Sequence, residues 1–94
     1  MNEAQQELQA AFREIKASEP SNGWLPQTDE EWERLQQAVI KYVGAVFMLS
    51  GLKKSHARRS ARYLYGGAAG LSDIKEHFEA TRWAQVGTPP DGVH

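Results

Sequence analysis

Three histidines and a set of carboxylates are the side chains in this 94-residue sequence that could support a reaction or bind a metal. His56, His77 and His94 include no pair at the i, i+4 spacing that presents two zinc ligands on one helix face. Asp73 and His77 do have that spacing, but a surface ion pair or plain solvation explains it better, and we adopt that explanation. The absence of cysteine excludes a thiol nucleophile, a thiolate metal site and a disulfide. We therefore predict neither an enzyme nor a bound metal or cofactor.

A glycine cluster at Gly66, Gly67 and Gly70 is the other feature that could bind a ligand, because N–H groups at a helix start bind anions. Gly-rich nucleotide motifs, however, follow a strand, and the P-loop continues with Lys and then Ser or Thr. Here the preceding segment has helical periodicity, and Asp73 lies at the expected start of the next helix. We interpret the cluster as a turn in which Gly66 or Gly67 has a positive φ angle, and we expect alanine to be better tolerated at Gly70 if that residue has ordinary backbone angles.

The same segment, from Tyr65 to Ile74, reads YGGAAGLSDI. It resembles the aromatic-Gly-Gly-x-Gly-Ser-Leu-Asn-Asp-aliphatic turn of a family of small, helical, uncharacterised bacterial proteins. In that family a helix ends at the double glycine and the Asp opens the next segment, whereas Ala69 and Gly70 stand here where the family has Gly and Ser. The resemblance implies a bacterial accessory protein, with toxin neutralisation as an expected role, and assigns no catalytic residue.

Hydrophobic periodicity predicts an all-α fold, and no segment shows the alternation of a strand. Four helices are expected, at residues 2–17, 29–50, 55–65 and 73–85, and short connections favour a compact bundle. The predicted domain covers residues 1–86, and the Gly- and Pro-rich segment 87–94 is expected to be a flexible tail.

The apolar spacing also predicts which side chains face the core. They are Leu8, Phe12 and Ile15 in the first helix, Ala57, Ala61 and Leu64 in the third, and Ile74, Phe78 and Trp83 in the fourth. The helix at 29–50 has a wider apolar surface, so we expect several neighbours on it. Gly44 within that helix predicts the close approach of another helix.

Residue types at the expected helix ends predict how those ends are capped. Thr28 and Glu31 predict a capping box, Gly51 a left-handed residue after the second helix, and Ser72 the N-cap of the fourth. The amino terminus has no basic and apolar regions typical of a secretion signal, and no apolar run is long enough to span a bilayer. We therefore expect a cytoplasmic protein without a membrane partner.

Charged residues are segregated along the chain, although the net charge is only −1. The acidic block comprises Asp29, Glu30, Glu31 and Glu33. The basic block, which contains no acid, comprises Lys53, Lys54, Arg58, Arg59 and Arg62. Separated signs predict faces of opposite potential that orient a partner, but solvated faces that contact one another are an equally ordinary explanation.

These observations predict a small bacterial inhibitor or immunity-type protein that binds and occludes a partner protein, for example a toxin. The candidate partner-binding residues are Arg58, Arg59, Arg62, Tyr63, Tyr65 and Trp24. The alternative is a small nucleic-acid-binding accessory or regulator that lays its basic third helix against phosphates. The balanced charge argues against it, as does a predicted third connection longer than that of a helix-turn-helix. A homo-oligomer through helix 29–50 is compatible with both.

Overall fold

The computed structural model describes residues 2–18 and 25–86, with side chains described as far as Thr81. This part of the chain forms four helices and no strand, which confirms the all-α prediction. The helices are α1 (Glu3–Ala17), α2 (Asp29–Leu49), α3 (Lys54–Tyr65) and α4 (Gly67–Val86). Trp24, the side chain of Trp83 and the expected tail at 87–94 lie outside the described residues. None of the helices in residues 2–18 and 25–86 combines the length and hydropathy needed to cross a bilayer.

Helix α2 is the centre of the bundle, because α1, α3 and α4 all pack against it. Within the described ranges, no pair of Cα atoms closer than 8 Å joins α1 to α3 or to α4. The apolar core comprises Trp32 and Leu35 from α2 and Ile74 from α4, and half-buried side chains from all four helices and from Leu25 surround it. The expectation that several neighbours pack on the second helix is therefore confirmed.

Small residues set the distance between the helices. Ala11 in α1, and Ala57 and Ala61 in α3, are completely buried. Because alanines allow the helices to approach closely, larger side chains on the same helices are displaced to the edges of the contacts. Phe12 and Leu64 are 54% and 51% exposed, so the prediction that both face the core was wrong.

Helices α2 and α3 form an antiparallel hairpin. Gln36 of α2 donates to the backbone carbonyl of Tyr65, and a Cβ atom placed on Gly44 would lie 3.8 Å from the carbonyl oxygen of Ala57. Gln36 and Gly44 are eight residues apart, as are Ala57 and Tyr65, and both spans measure about 12 Å along a helix. The two helices therefore run side by side over this length, and the predicted close approach at Gly44 is confirmed.

The start of α4 differs most from the expectation. The helix begins at Gly67 and not at residue 73, and Gly66 alone separates it from α3. Gly67 has a φ of 69°, which confirms the predicted left-handed glycine, and Gly51 after α2 has a φ of 107°. A Cβ atom on Gly70 would collide with the backbone of Tyr65, so the expectation that alanine is tolerated there was wrong.

The connection between α3 and α4 at Gly66, called the corner below, has two consequences for the glycine-rich segment. Glycines at 66, 67 and 70 permit close contact between the end of α3 and the start of α4. Helix α4 therefore includes most of the glycine-rich segment, although the composition of that segment is typical of a loop. Ser72 and Asp73 consequently lie inside α4, so Ser72 is not an N-cap and Asp73 does not open the segment as it does in the resembled family.

The first turn of α2 has only half of the predicted capping box. The Thr28 hydroxyl accepts from the N–H of Glu31 at 3.1 Å, as predicted. The Glu31 carboxylate, however, accepts from the N–H of Gln27 at 3.3 Å, one residue beyond the expected donor. A complete capping box is present instead on α1, where Asn2 and Gln5 satisfy each other's N–H groups.

Candidate protein-binding face

Helix α3 is strongly amphipathic, and its outward side carries the candidate site. Ala57 and Ala61 bury one side of the helix, while Arg59, Arg62 and Tyr63 project from the other. Residues at i, i+3 and i+4 are neighbours on a helix surface, so these three side chains form one patch, named the α3 outer face. Tyr63 is 88% exposed, the highest value among the exposed large hydrophobic side chains of the described residues.

The α3 outer face is positively charged without internal compensation. Helix α3 contains no acidic residue. Neither Arg59 nor Arg62 forms an ion pair with any residue in the described part of the chain. The two guanidinium groups can bind carboxylates through paired N–H donors. The exposed phenol ring of Tyr63 beside them can provide an apolar contact.

Two other cations of the basic block, Lys54 and Arg58, are paired with α1. The Glu7 carboxylate lies 2.9 Å from Nζ of Lys54 and 3.4 Å from Nη2 of Arg58. The hydrogen bond from Lys54 lowers the pKa of Glu7, the charges of Lys54, Arg58 and Lys41 lower it further, and partial burial opposes them. The structure therefore separates Arg58, one of the predicted site residues, from Arg59 and Arg62.

The Tyr65 side chain belongs to the hydrophobic core and not to the α3 outer face. This half-buried side chain packs against the core formed by Trp32, Leu35 and Ile74. Of the six predicted site residues, the structure thus brings Arg59, Arg62 and Tyr63 together, assigns other contacts to Arg58 and Tyr65, and does not describe Trp24.

Gln36 is a positioning residue that the sequence analysis missed. Its side chain is buried, with 6% of the residue exposed, and its amide nitrogen donates to the carbonyls of Tyr65 at 2.8 Å and Gly67 at 3.0 Å. These bonds connect α2 to the end of α3 and the start of α4. A signal was present in the sequence, because Gln36 interrupts an apolar series at Trp32, Ile40 and Gly44 with a spacing of four.

A cleft of about 670 Å³ opens where α4 begins, lined by residues of α2 and by Gly67, Ala68 and Leu71. The carboxylates of Glu30 and Glu33 line this cleft together with the guanidinium of Arg34. Acidic side chains repel phosphate, so the glycine cluster lacks the electrostatics of an anion site.

The remaining chemical candidates are dispersed. Asp73 and His77 are exposed and form no ion pair with each other. Within residues 2–18 and 25–81, no three His, Asp or Glu side chains are grouped so that they could hold a metal ion.

A second open groove lies between α1 and α2 and is mainly apolar. Its volume is about 350 Å³, and Leu8, Phe12 and Tyr42 line it together with Gln9 and Arg13. Val46 and Leu49 of α2 are also exposed. Self-association through α2 stays a prediction.

The fold and the α3 outer face thus define a small helical protein that presents a cationic, aromatic helix face. Comparisons with protein-family models, with curated proteins and with solved structures find no match to this chain.

Proposed function

We propose that this chain is a small non-enzymatic binding protein of the inhibitor or immunity type. It covers an acidic surface of a partner protein with the α3 outer face. The observation that carries the proposal is the exposure of Tyr63 beside two arginines that have no ion-pair partner in the described residues.

Residue chemistry supports a protein as the partner. Tyr and Arg are enriched at interface hot spots, because a large planar group contributes contact area while losing little conformational entropy. Their side-by-side position on one helix suits a partner patch that combines an apolar depression with flanking carboxylates. Such charge complementarity accelerates association and disfavours basic partners.

Two observations make a nucleic acid the weaker candidate. In a helix-turn-helix the recognition helix crosses its predecessor at about 90–120°, whereas the Gln36 and Gly44 contacts hold α3 antiparallel to α2. In addition, Glu7 forms ion pairs with Lys54 and Arg58 and offsets one of their two positive charges, so less positive charge remains for a phosphate backbone. Because Gly66 alone connects α3 to α4, the length of that connection does not argue against a helix-turn-helix. The antiparallel arrangement of α2 and α3 argues against it instead.

The test is co-purification from the native host with a charge-reversed variant. The parent chain should recover one dominant acidic protein, and Arg59→Glu/Arg62→Glu should lose it. For the purified pair, titration calorimetry should show the dissociation constant raised by well over tenfold, roughly 1.4 kcal/mol or more. Circular dichroism should remain unchanged, since exposed charges contribute little to stability.

A matched control separates this face from net charge. Arg13→Glu/Arg34→Glu reverses the same number of charges at exposed positions on α1 and α2. Partner binding by this control should match that of the parent. Equal loss in both variants, or recovery of nucleic acid alone, would contradict the proposal.

A further inference from the structure

Glu7 connects two helices whose backbones do not touch. No Cα atom of α1 lies within 8 Å of one in α3, yet the Glu7 carboxylate reaches both Lys54 and Arg58. The Glu7 side chain is only 16% exposed, while the two cations keep about 40% of their surface in solvent. The carboxylate therefore lies beneath two basic groups that still reach the protein surface.

We propose that Glu7 is a specificity-determining residue, which holds Lys54 and Arg58 in ion pairs, lowers the positive charge that they present on α3 and so weakens the binding of α3 to a phosphate backbone. The inference rests on the proposed function, because it concerns the selectivity of the same helix. Without Glu7, Lys54 and Arg58 would add their full charge to that of Arg59 and Arg62 on α3.

The charge pattern of α1 supports a selective role for this residue. Glu14, two turns further along α1, forms an ion pair with Lys41 of α2 at 3.2 Å. That pair involves no cation of the basic block. The chain thus places one carboxylate against the basic block of α3 and another, on the same helix, against a cation elsewhere.

The size of the effect follows from counterion release. Each phosphate contact steepens the dependence of log affinity on log salt by about 0.9 on a duplex. If Glu7→Gln frees two cations, the slope should steepen by up to about 1.8, and duplex binding near 50 mM salt should tighten by roughly tenfold to a hundredfold.

The experiment compares full-length Glu7→Gln with Glu14→Gln. Both replace one carboxylate of α1 by its uncharged isostere and break an ion pair, but only the first releases cations of α3. Binding of a labelled DNA duplex is measured by fluorescence anisotropy between about 50 and 200 mM salt. Circular dichroism checks that each variant keeps the helical content of the parent.

The expected result is tighter, more salt-dependent duplex binding by Glu7→Gln than by Glu14→Gln. A second substitution, Glu7→Gln/Arg58→Gln, should return affinity towards the parent value. Equal affinities of Glu7→Gln and Glu14→Gln would show that net charge alone acts, and would overturn the inference while leaving the proposed function intact. Tight, salt-sensitive duplex binding by the parent itself would overturn the proposed function and the inference together.

Discussion

Replacement of Gln36 by Met tests the corner that orients α3. Methionine has nearly the volume of glutamine and keeps the side chain unbranched, so packing around the buried position changes little. It removes the amide nitrogen that donates to the carbonyls of Tyr65 at 2.8 Å and Gly67 at 3.0 Å. Within the described chain, no other hydrogen bond to the Tyr65 carbonyl is present.

Each lost hydrogen bond costs about 1 kcal/mol net, and an unpaired buried carbonyl adds about 1–3 kcal/mol. Two lost hydrogen bonds and one unpaired carbonyl should therefore lower the free energy of unfolding of Gln36→Met by about 3–5 kcal/mol. For a domain of this size each kcal/mol lowers Tm by about 4–8 °C, which gives a fall of roughly 12–40 °C.

Urea unfolding followed by circular dichroism measures this loss, with a thermal melt as the second readout. The control is Gln37→Met, because Gln37 is the exposed neighbour on the same helix and its replacement should change stability by less than about 0.5 kcal/mol. Unfolding of Gln36→Met at the same urea concentration as Gln37→Met would contradict the stabilising role of the Gln36 hydrogen bonds.

Two further predictions concern glycines, and urea unfolding measures both. Gly44→Ala should raise the free energy of unfolding by up to about 1 kcal/mol, because alanine favours the helix and the added Cβ meets Arg58 at an ordinary 3.7 Å. Gly44→Leu should lower it by about 1–3 kcal/mol, because the larger side chain overpacks the contact with α3. A leucine variant as stable as the alanine variant would contradict the close approach of α3. Gly70→Ala should lower the free energy of unfolding by more than Gly67→Ala. A Cβ atom at Gly70 collides with the Tyr65 backbone, whereas one at Gly67 lies in open space and meets only an unfavourable φ. The opposite order would place the strain of the corner at Gly67.

Local residue patterns were sufficient for α1, α2 and α3 and for much of the α3 outer face. The periodicity that predicts 29–50 and 55–65 agrees with α2 and α3 to within one residue, because a helix bonds residues four apart and its amphipathic face repeats with the same period. Arg59, Arg62 and Tyr63 share a face for the same reason, so the sequence alone could place them together. The function of that face stays a prediction.

Contacts between distant parts of the chain decided the rest. The partner of Arg58 lies 51 residues away at Glu7, and the donor to the Tyr65 carbonyl lies 29 residues away at Gln36. No local pattern encodes such distances, so the sequence grouped Arg58 with the exposed arginines and missed Gln36. The glycine segment after Tyr65 was misjudged for the same reason: glycine composition indicates a loop, whereas the close approach of two helix ends makes it the first turn of α4. The sequence by itself determined α1, α2 and α3 and their outward charges, whereas the tertiary structure decided where α4 begins and which of the α3 cations form ion pairs within the chain.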